Sequence, residues 1–301
     1  MRPALVFHPD YRLAVAGPPH FLSSRSALLL DELERRGLVD PGRLHRPLPA
    51  SGRWLALAHA SDYVTTVLEG RLDGAGRRRL GLVFGQALLR RSLAAVGGTV
   101  LAGQLALEEG LACNLAGGGH HAGVAAPAGF CLFNDVAVAV RVLRAQGLVS
   151  RVLVIDLDVH QGDGTAAILA CDSGVFCLSV HCRTNYPLRK ARGSLDLALE
   201  AESDDGLYLA ALERLLPGLL ARLRPELAFY NAGVDPHRED RLGRLALSDG
   251  GIAARDALVL ELCRRRGVPV ATVTGGGYGP PEAVVARHRL LFEAAAALSF
   301  W

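Results

Sequence analysis

Lysine is nearly missing from this chain of 301 residues: of 33 basic residues, only Lys190 is a lysine. The arginines are scattered along helix-like segments, no basic arm emerges, and the formal net charge is only +3. Sequence-independent nucleic-acid binding therefore has no support, because it needs a concentrated positive footprint. No Cys-x-x-Cys pair occurs among the 6 cysteines, and most of them sit in apolar runs, where a free thiol packs as a small hydrophobe. No apolar run is long enough to cross a bilayer, and Met1-Arg2-Pro3 opens no secretory leader. A reducing cytoplasm is the expected compartment. Flexible linkers, repeats and low-complexity tracts are absent as well, since the Pro-, Gly- and Arg-rich stretches 41–52 and 71–79 are short. With 50% hydrophobic residues, one domain covering residues 1–301 is expected.

What the chain does contain is a series of short apolar runs with β-branched residues, at 5–8, 112–115, 152–156, 175–180, 227–230 and 268–274. Their length and continuous hydrophobicity predict strands buried on both faces. Between them lie stretches of helical periodicity, at 26–36, 92–109, 134–145, 207–223 and 250–266. This alternation predicts an α/β fold with a mostly parallel central sheet covered by helices on both sides.

The polar residues then fall in a telling place. Gly119-His120-His121, Asp156-Leu157-Asp158-Val159-His160, Ser179-Val180-His181, Asn231-Ala232-Gly233-Val234-Asp235 and Gly275-Gly276-Gly277-Tyr278 each follow a predicted strand. Ligands of open parallel sheets bind at the carboxyl ends of the strands, so the five blocks are expected to meet in one crevice. A buried strand should not run into two carboxylates and an imidazole, because each charge taken out of water costs several kcal/mol unless compensated. A divalent cation compensates them. Carboxylate oxygen and imidazole nitrogen suit zinc or iron(II) better than copper or calcium.

A catalytic zinc keeps three protein ligands and one open position, and Asp158, His160 and Asp235 are the expected three. Two carboxylates acidify a bound water less than neutral ligands do, so a separate base is needed. His120 and His121 are the candidates, with Asp156 and Asp163 available to orient them. Tyr278, flanked by glycines that let the backbone approach a ligand, suits stabilisation of an oxyanion. Two other readings fail. Gly117-x-Gly119-x-x-Ala122 fits a loose dinucleotide fingerprint, but residues 123–129 with Pro127 cannot open the helix a pyrophosphate needs. No Gly-x-Ser-x-Gly elbow supports a serine hydrolase.

These motifs, together with Gly129-Phe130-Cys131, Gln161-Gly162-Asp163-Gly164-Thr165, Tyr230-Asn231 and Asp240-Arg241-Leu242-Gly243, resemble the zinc-dependent histone deacetylase superfamily. The resemblance runs in order along nearly the whole chain and is closest to the class IV type and its compact bacterial relatives. It implies one Zn2+ on Asp158, His160 and Asp235, with His121 as general base held by Asp163. His120, held by Asp156, would act electrostatically, and Tyr278 would donate to the oxyanion. Gly129, Phe130 and Tyr186 would line an acyl-lysine tunnel, with Gly276 and Gly277 also against the substrate. A structural K+ on Asp156 and the backbone near Asp158, His160, Ser179 and Val180 is implied too.

The implied activity is hydrolysis of an N-acyl amide, most simply an acyl-lysine of a protein, alternatively an acetylpolyamine or another small acylated amine. Tyr186 stands where many members carry Phe, residues 122–128 are small and apolar, and no acidic rim residue of the class I type is evident. An arginase-like ureohydrolase would need a second Asp-x-Asp pair for a second metal, whereas Asp235 and Asp240 are five apart. A silent acyl-amine reader would not need Tyr278 and both histidines. Elsewhere Trp54, His45 and His59 read as packing or surface groups, with His59 and Tyr63 paired on one helix face. His181 reads as a neighbour of the site, and His8, His20, His237 and Phe21 as candidates for its rim.

Overall fold

Continuous apolar runs pair best where both faces are covered, and here they form one sheet of eight strands, all parallel. The structure, a computed structural model, describes residues 2–19 and 21–298. The strands are β1 (Ala4–Val6), β2 (Leu44–His45), β3 (Leu111–Asn114), β4 (Val152–Asp156), β5 (Val175–Cys182), β6 (Leu195–Leu199), β7 (Leu227–Asn231) and β8 (Val270–Val273). Their spatial order is β2-β1-β3-β8-β7-β4-β5-β6. The six predicted strands occupy the middle of this order. The two that sequence missed, β2 and β6, are the edges: β2 is two residues long, and β6 is only partly buried and carries Asp196. Neither presents the apolar run that marks a buried strand.

The helices are α1 (Arg25–Arg35), α2 (Gly52–Leu55), α3 (Ser61–Leu68), α4 (Gly74–Leu80) and α5 (Gln86–Glu109), then α6 (Asp135–Ala145), α7 (Asp163–Leu169), α8 (Asp205–Leu223), α9 (Asp249–Arg265) and α10 (Pro281–Ala297). Alternation along each strand divides its side chains between two cores. Ala4, Val6, Val152, Val154 and Phe229 face α5 and α6, while Leu5, Leu153, Ile155, Ala228 and Tyr230 face α1, α8, α9 and α10. Among the described residues no helix is long and apolar enough to cross a membrane.

The consequence for function is topological. β3, β8, β7, β4 and β5 are consecutive in the sheet, and all point the same way. The five polar blocks that follow them are therefore delivered to one edge.

Candidate active site

After β3 the chain turns through Gly117 and Gly118, at φ 92° and 83°, a region open to glycine without strain. The turn is tied down by Asp135, the first residue of α6, whose carboxylate accepts from the backbone N–H of Gly119 at 2.6 Å and of Gly118 at 3.2 Å. A Cβ on Gly119 would meet the Phe133 carbonyl oxygen at 2.2 Å. This packing fixes where the next two residues, His120 and His121, emerge.

Their rings lie 4.0 Å apart, centre to centre, and each has its own carboxylate. His120 Nδ1 is 2.8 Å from Asp156 Oδ2, and His121 Nδ1 is 2.6 Å from Asp163 Oδ1. Asn231, at the end of β7, donates to Asp156 Oδ1 at 2.9 Å and so aims that carboxylate. The two imidazoles are driven in opposite directions. Burial lowers His121, the charge of His120 adds to this, and its pKa falls to about 4. For His120 the cost of burial is outweighed by Asp156 and Asp158, which bring it to about 9.

Opposite them, Asp158, His160 and Asp235 present ligand atoms that all lie within 4.8 Å of one another, buried from solvent. His160 Nδ1 stands 3.0 Å from Asp158 Oδ1 and 3.1 Å from Asp235 Oδ2. The second oxygen of each carboxylate is engaged elsewhere: Gly276 N–H donates to Asp158 Oδ2 at 2.7 Å, and Val159 N–H to Asp235 Oδ1 at 2.8 Å. His160 Nδ1 at about 3 Å from each carboxylate, with all three donors within 4.8 Å of one another, is compatible with the ligand spacing of an ion with bonds of about 2 Å. Burial and the Asp158 charge raise Asp235 to about 7. The two carboxylates outweigh burial at His160 and raise it to about 10. The trio thus holds a proton between its members when nothing else supplies positive charge, and a divalent cation fits this donor set.

Tyr278, half-buried, closes the opposite wall, its ring 6.1 Å from that of His160 and 6.0 Å from that of Phe130. Burial and then the Asp158 and Asp235 charges push its phenol far above the ordinary range, so it stays a donor. Phe130 adopts a left-handed backbone (φ 68°), and stacks at 5.5 Å on Phe21. Tyr186 meets the His121 ring edge-on at 4.8 Å. Gly129, at φ 52°, passes so close that a Cβ there would lie 2.4 Å from His121 Cδ2. Gly129, Phe130, Gly276, Gly277 and Tyr278 line one cavity with His120, His121 and Asp158.

A family model described as a histone deacetylase domain matches residues 20–293. The chain belongs to the histone deacetylase family. Enzymes of this family hydrolyse amide C–N bonds, typically with zinc, and this deacetylase-family chain is a hydrolase of that kind. It is 46% identical to an uncharacterised protein of Picosynechococcus sp. over 97% of both chains. It is 32% identical to Histone deacetylase 2 of Arabidopsis thaliana, over 86% of this chain and 69% of that one. The crystal structure of a histone deacetylase homolog from Aquifex aeolicus superposes with a TM-score of 0.85 at 28% identity, covering 99% of this chain and 84% of that one.

Several residues that position the deacetylase site were not singled out by sequence. Asp135 and Arg255 each sit inside a predicted helix, where nothing in the local pattern marks them. Arg255 is fully buried, pairs with Asp256, and donates to the carbonyls of Gly233 at 2.6 Å and Leu157 at 3.3 Å, so it braces the backbone beneath both aspartates of the metal trio. Asp240 is the exception, since it opens a quoted motif, and the structure shows what it does: it accepts from Tyr278 N–H at 2.7 Å. Arg25, at the start of α1, lines the same cavity beyond His120.

Three minor expectations are corrected. His8 and His237 are not rim residues but buried caps, accepting from the backbone N–H of Asp10 and Glu239 respectively. His59 and Tyr63 do meet, at 5.7 Å, but only Tyr63 is on α3. His20 lies outside the described residues.

Proposed function

We propose that this enzyme hydrolyses the side-chain amide of an acylated protein lysine, using a single Zn2+ on Asp158, His160 and Asp235. The observation that carries the reading is the confrontation of two histidine–aspartate pairs with that trio across one cavity: His120 Nε2 is 3.8 Å from Asp158 Oδ1. When bound, the metal would polarise water and the substrate carbonyl together. His121 is the base: a neutral imidazole takes the water proton, and a cation nearby only strengthens its neutrality. His120, facing Asp158, supplies charge to the developing oxyanion, and the Tyr278 hydroxyl donates to it. As the C–N bond breaks, His121 returns its proton to the departing amine, leaving a free lysine and a carboxylate.

Phe130 and Tyr186 form the walls between which the lysine methylenes pass, with Gly129, Gly276 and Gly277 giving the chain room. Arg25 at the far end of the cavity provides a cationic floor for the carboxylate product. We include in the reading a K+ on Asp156 and the backbone of Asp158, His160, Ser179 and Val180, since the β4–β5 register sets Asp156 beside Ser179.

The two-metal ureohydrolase alternative is disfavoured by a specific contact set. The Asp240 carboxylate, which would have to serve a second ion, is already taken by the backbone N–H groups of Leu242, Gly243 and Tyr278. The deciding experiment is turnover of a fluorogenic acetyl-lysine peptide by zinc-reconstituted enzyme, with metal counting. One zinc per chain, activity lost on chelation and restored by zinc, is the expected outcome. Two transition-metal ions per chain, or no turnover of any acyl-lysine peptide, overturns the reading.

A further inference from the structure

Some of the arginines that look scattered in sequence lie on segments next to the cavity. Five segments surround the cavity mouth. Segment 21–24 carries Phe21, 74–85 carries Leu82, and 123–131 carries Gly129 and Phe130, all of which line the cavity. Segment 183–193 carries Tyr186 against His121, and 236–245 is bonded to the Tyr278 carbonyl through Arg241 N–H at 3.1 Å. Together these five hold ten Lys or Arg and two carboxylates, Glu239 and Asp240, while Glu200 and Asp196 approach from β6 and its end, against Arg183 and the Gly193 N–H. Neither Glu239 nor Asp240 faces the mouth as free charge, because Glu239 pairs with Arg287 and Asp240 is buried under backbone N–H groups. The whole chain carries only +3, so the residues outside these segments are net negative and the positive excess lies beside the cavity.

Arg78, Arg79, Arg189, Arg192 and Arg241 are exposed, and they come from three different segments. Arg79 and Leu80 accept through their carbonyls from Gly129 and Phe130, which places the end of α4 directly against the tunnel wall. We propose that the acylated lysine this enzyme opens lies in an acidic protein segment, whose Asp and Glu side chains are drawn to this ring of guanidinium groups. The proposal rests on the deacylase reading and narrows its substrate. Acetylpolyamines and basic tails are polycations, and the same ring repels them. Among the described residues Tyr186 is the one exposed large aromatic, which offers no stacking platform for the bases of a single strand.

The test uses zinc-loaded enzyme and acetyl-lysine peptides identical except for flanking Asp/Glu, Ser/Gly or Lys/Arg, with N-acetylspermidine as a fourth substrate. At low salt the acidic peptide should exceed the basic one in kcat/KM by about tenfold or more, the range of electrostatic steering, and high salt should compress the ratio. The double substitution Arg189→Gln with Arg192→Gln should shrink the acidic-to-neutral ratio several-fold. Fluorescence anisotropy of the labelled peptides gives the same ranking without turnover. Salt-sensitive preference for the acidic peptide in binding, with no hydrolysis, leaves the proposal standing and removes the deacylase reading. Equal treatment of the three peptides, preference for the basic one or for N-acetylspermidine, or tighter capture of a single-stranded oligonucleotide overturns it.

Discussion

Asp240 holds Tyr278 from behind. Its Oδ2 accepts the Tyr278 backbone N–H at 2.7 Å, while Oδ1 accepts from Leu242 and Gly243 at 2.8 and 2.9 Å. One carboxylate thus joins the loop after β7 to the glycine loop after β8, and Tyr278 is placed by a residue that is not itself part of the cavity lining. Tyr278→Phe should lower kcat by about 10²–10³, the usual loss of an oxyanion donor. Asp240→Ala should lower it by about tenfold or more through misplacement. The double variant should be little worse than Tyr278→Phe alone, since both act through one group. Fully additive losses in steady-state kcat would separate the two residues.

His121→Ala should lose more activity than His120→Ala, because only His121 is held neutral as a base. Both variants should keep one zinc per chain in metal analysis, as neither ring belongs to the Asp158–His160–Asp235 trio. The reverse ordering of rates would exchange their roles.

Gly129→Ala introduces a Cβ 2.4 Å from His121 Cδ2 at a left-handed position. We expect about 1–3 kcal/mol of destabilisation from the strained backbone, read in urea unfolding. A fall in kcat of more than about tenfold should accompany it as His121 is displaced, with zinc retained. Unchanged kcat would mean that the loop moves aside freely.

His59 is a neutral, fully engaged imidazole. Its Nδ1 lies 2.9 Å from the Gly123 carbonyl and its Nε2 accepts from Asn134 N–H at 3.0 Å, and burial lowers its pKa to about 4. Between about pH 6.5, its unfolded value, and about pH 4, the unfolded chain binds a proton that the folded chain refuses. Stability is therefore full above that window and is lost as the pH falls through it. His59→Gln removes this term. Its stability deficit relative to the parent, measured by urea midpoint, should narrow from pH 7.5 to pH 5. Parallel curves would show that His59 does not titrate on unfolding.

The order of motifs made much of this protein legible. Continuous apolar runs identified the central strands because they are buried on both sides and need no partner-specific pattern. Charged residues directly after them stood out because burying them without a cation is costly. For the same reason the edge strands β2 and β6 and the short helices α2, α4 and α7 were not singled out: half-exposed or brief elements carry no comparable signal. The family resemblance, read from these blocks, is matched by the family model over residues 20–293 and by the sheet itself.

Sequence alone determined which polar blocks follow the central strands and on which edge of the sheet they collect, since strand polarity and hydrophobic burial are local properties. Tertiary structure decided how they are held. Asp135 on the glycine turn, Asn231 on Asp156, Asp240 behind Tyr278 and Arg255 beneath both aspartates span sequence distances of 16 to 98 residues. Hydrogen bonds and fields depend on proximity in space, and no spacing along the chain encodes that before the sheet has brought the loops together.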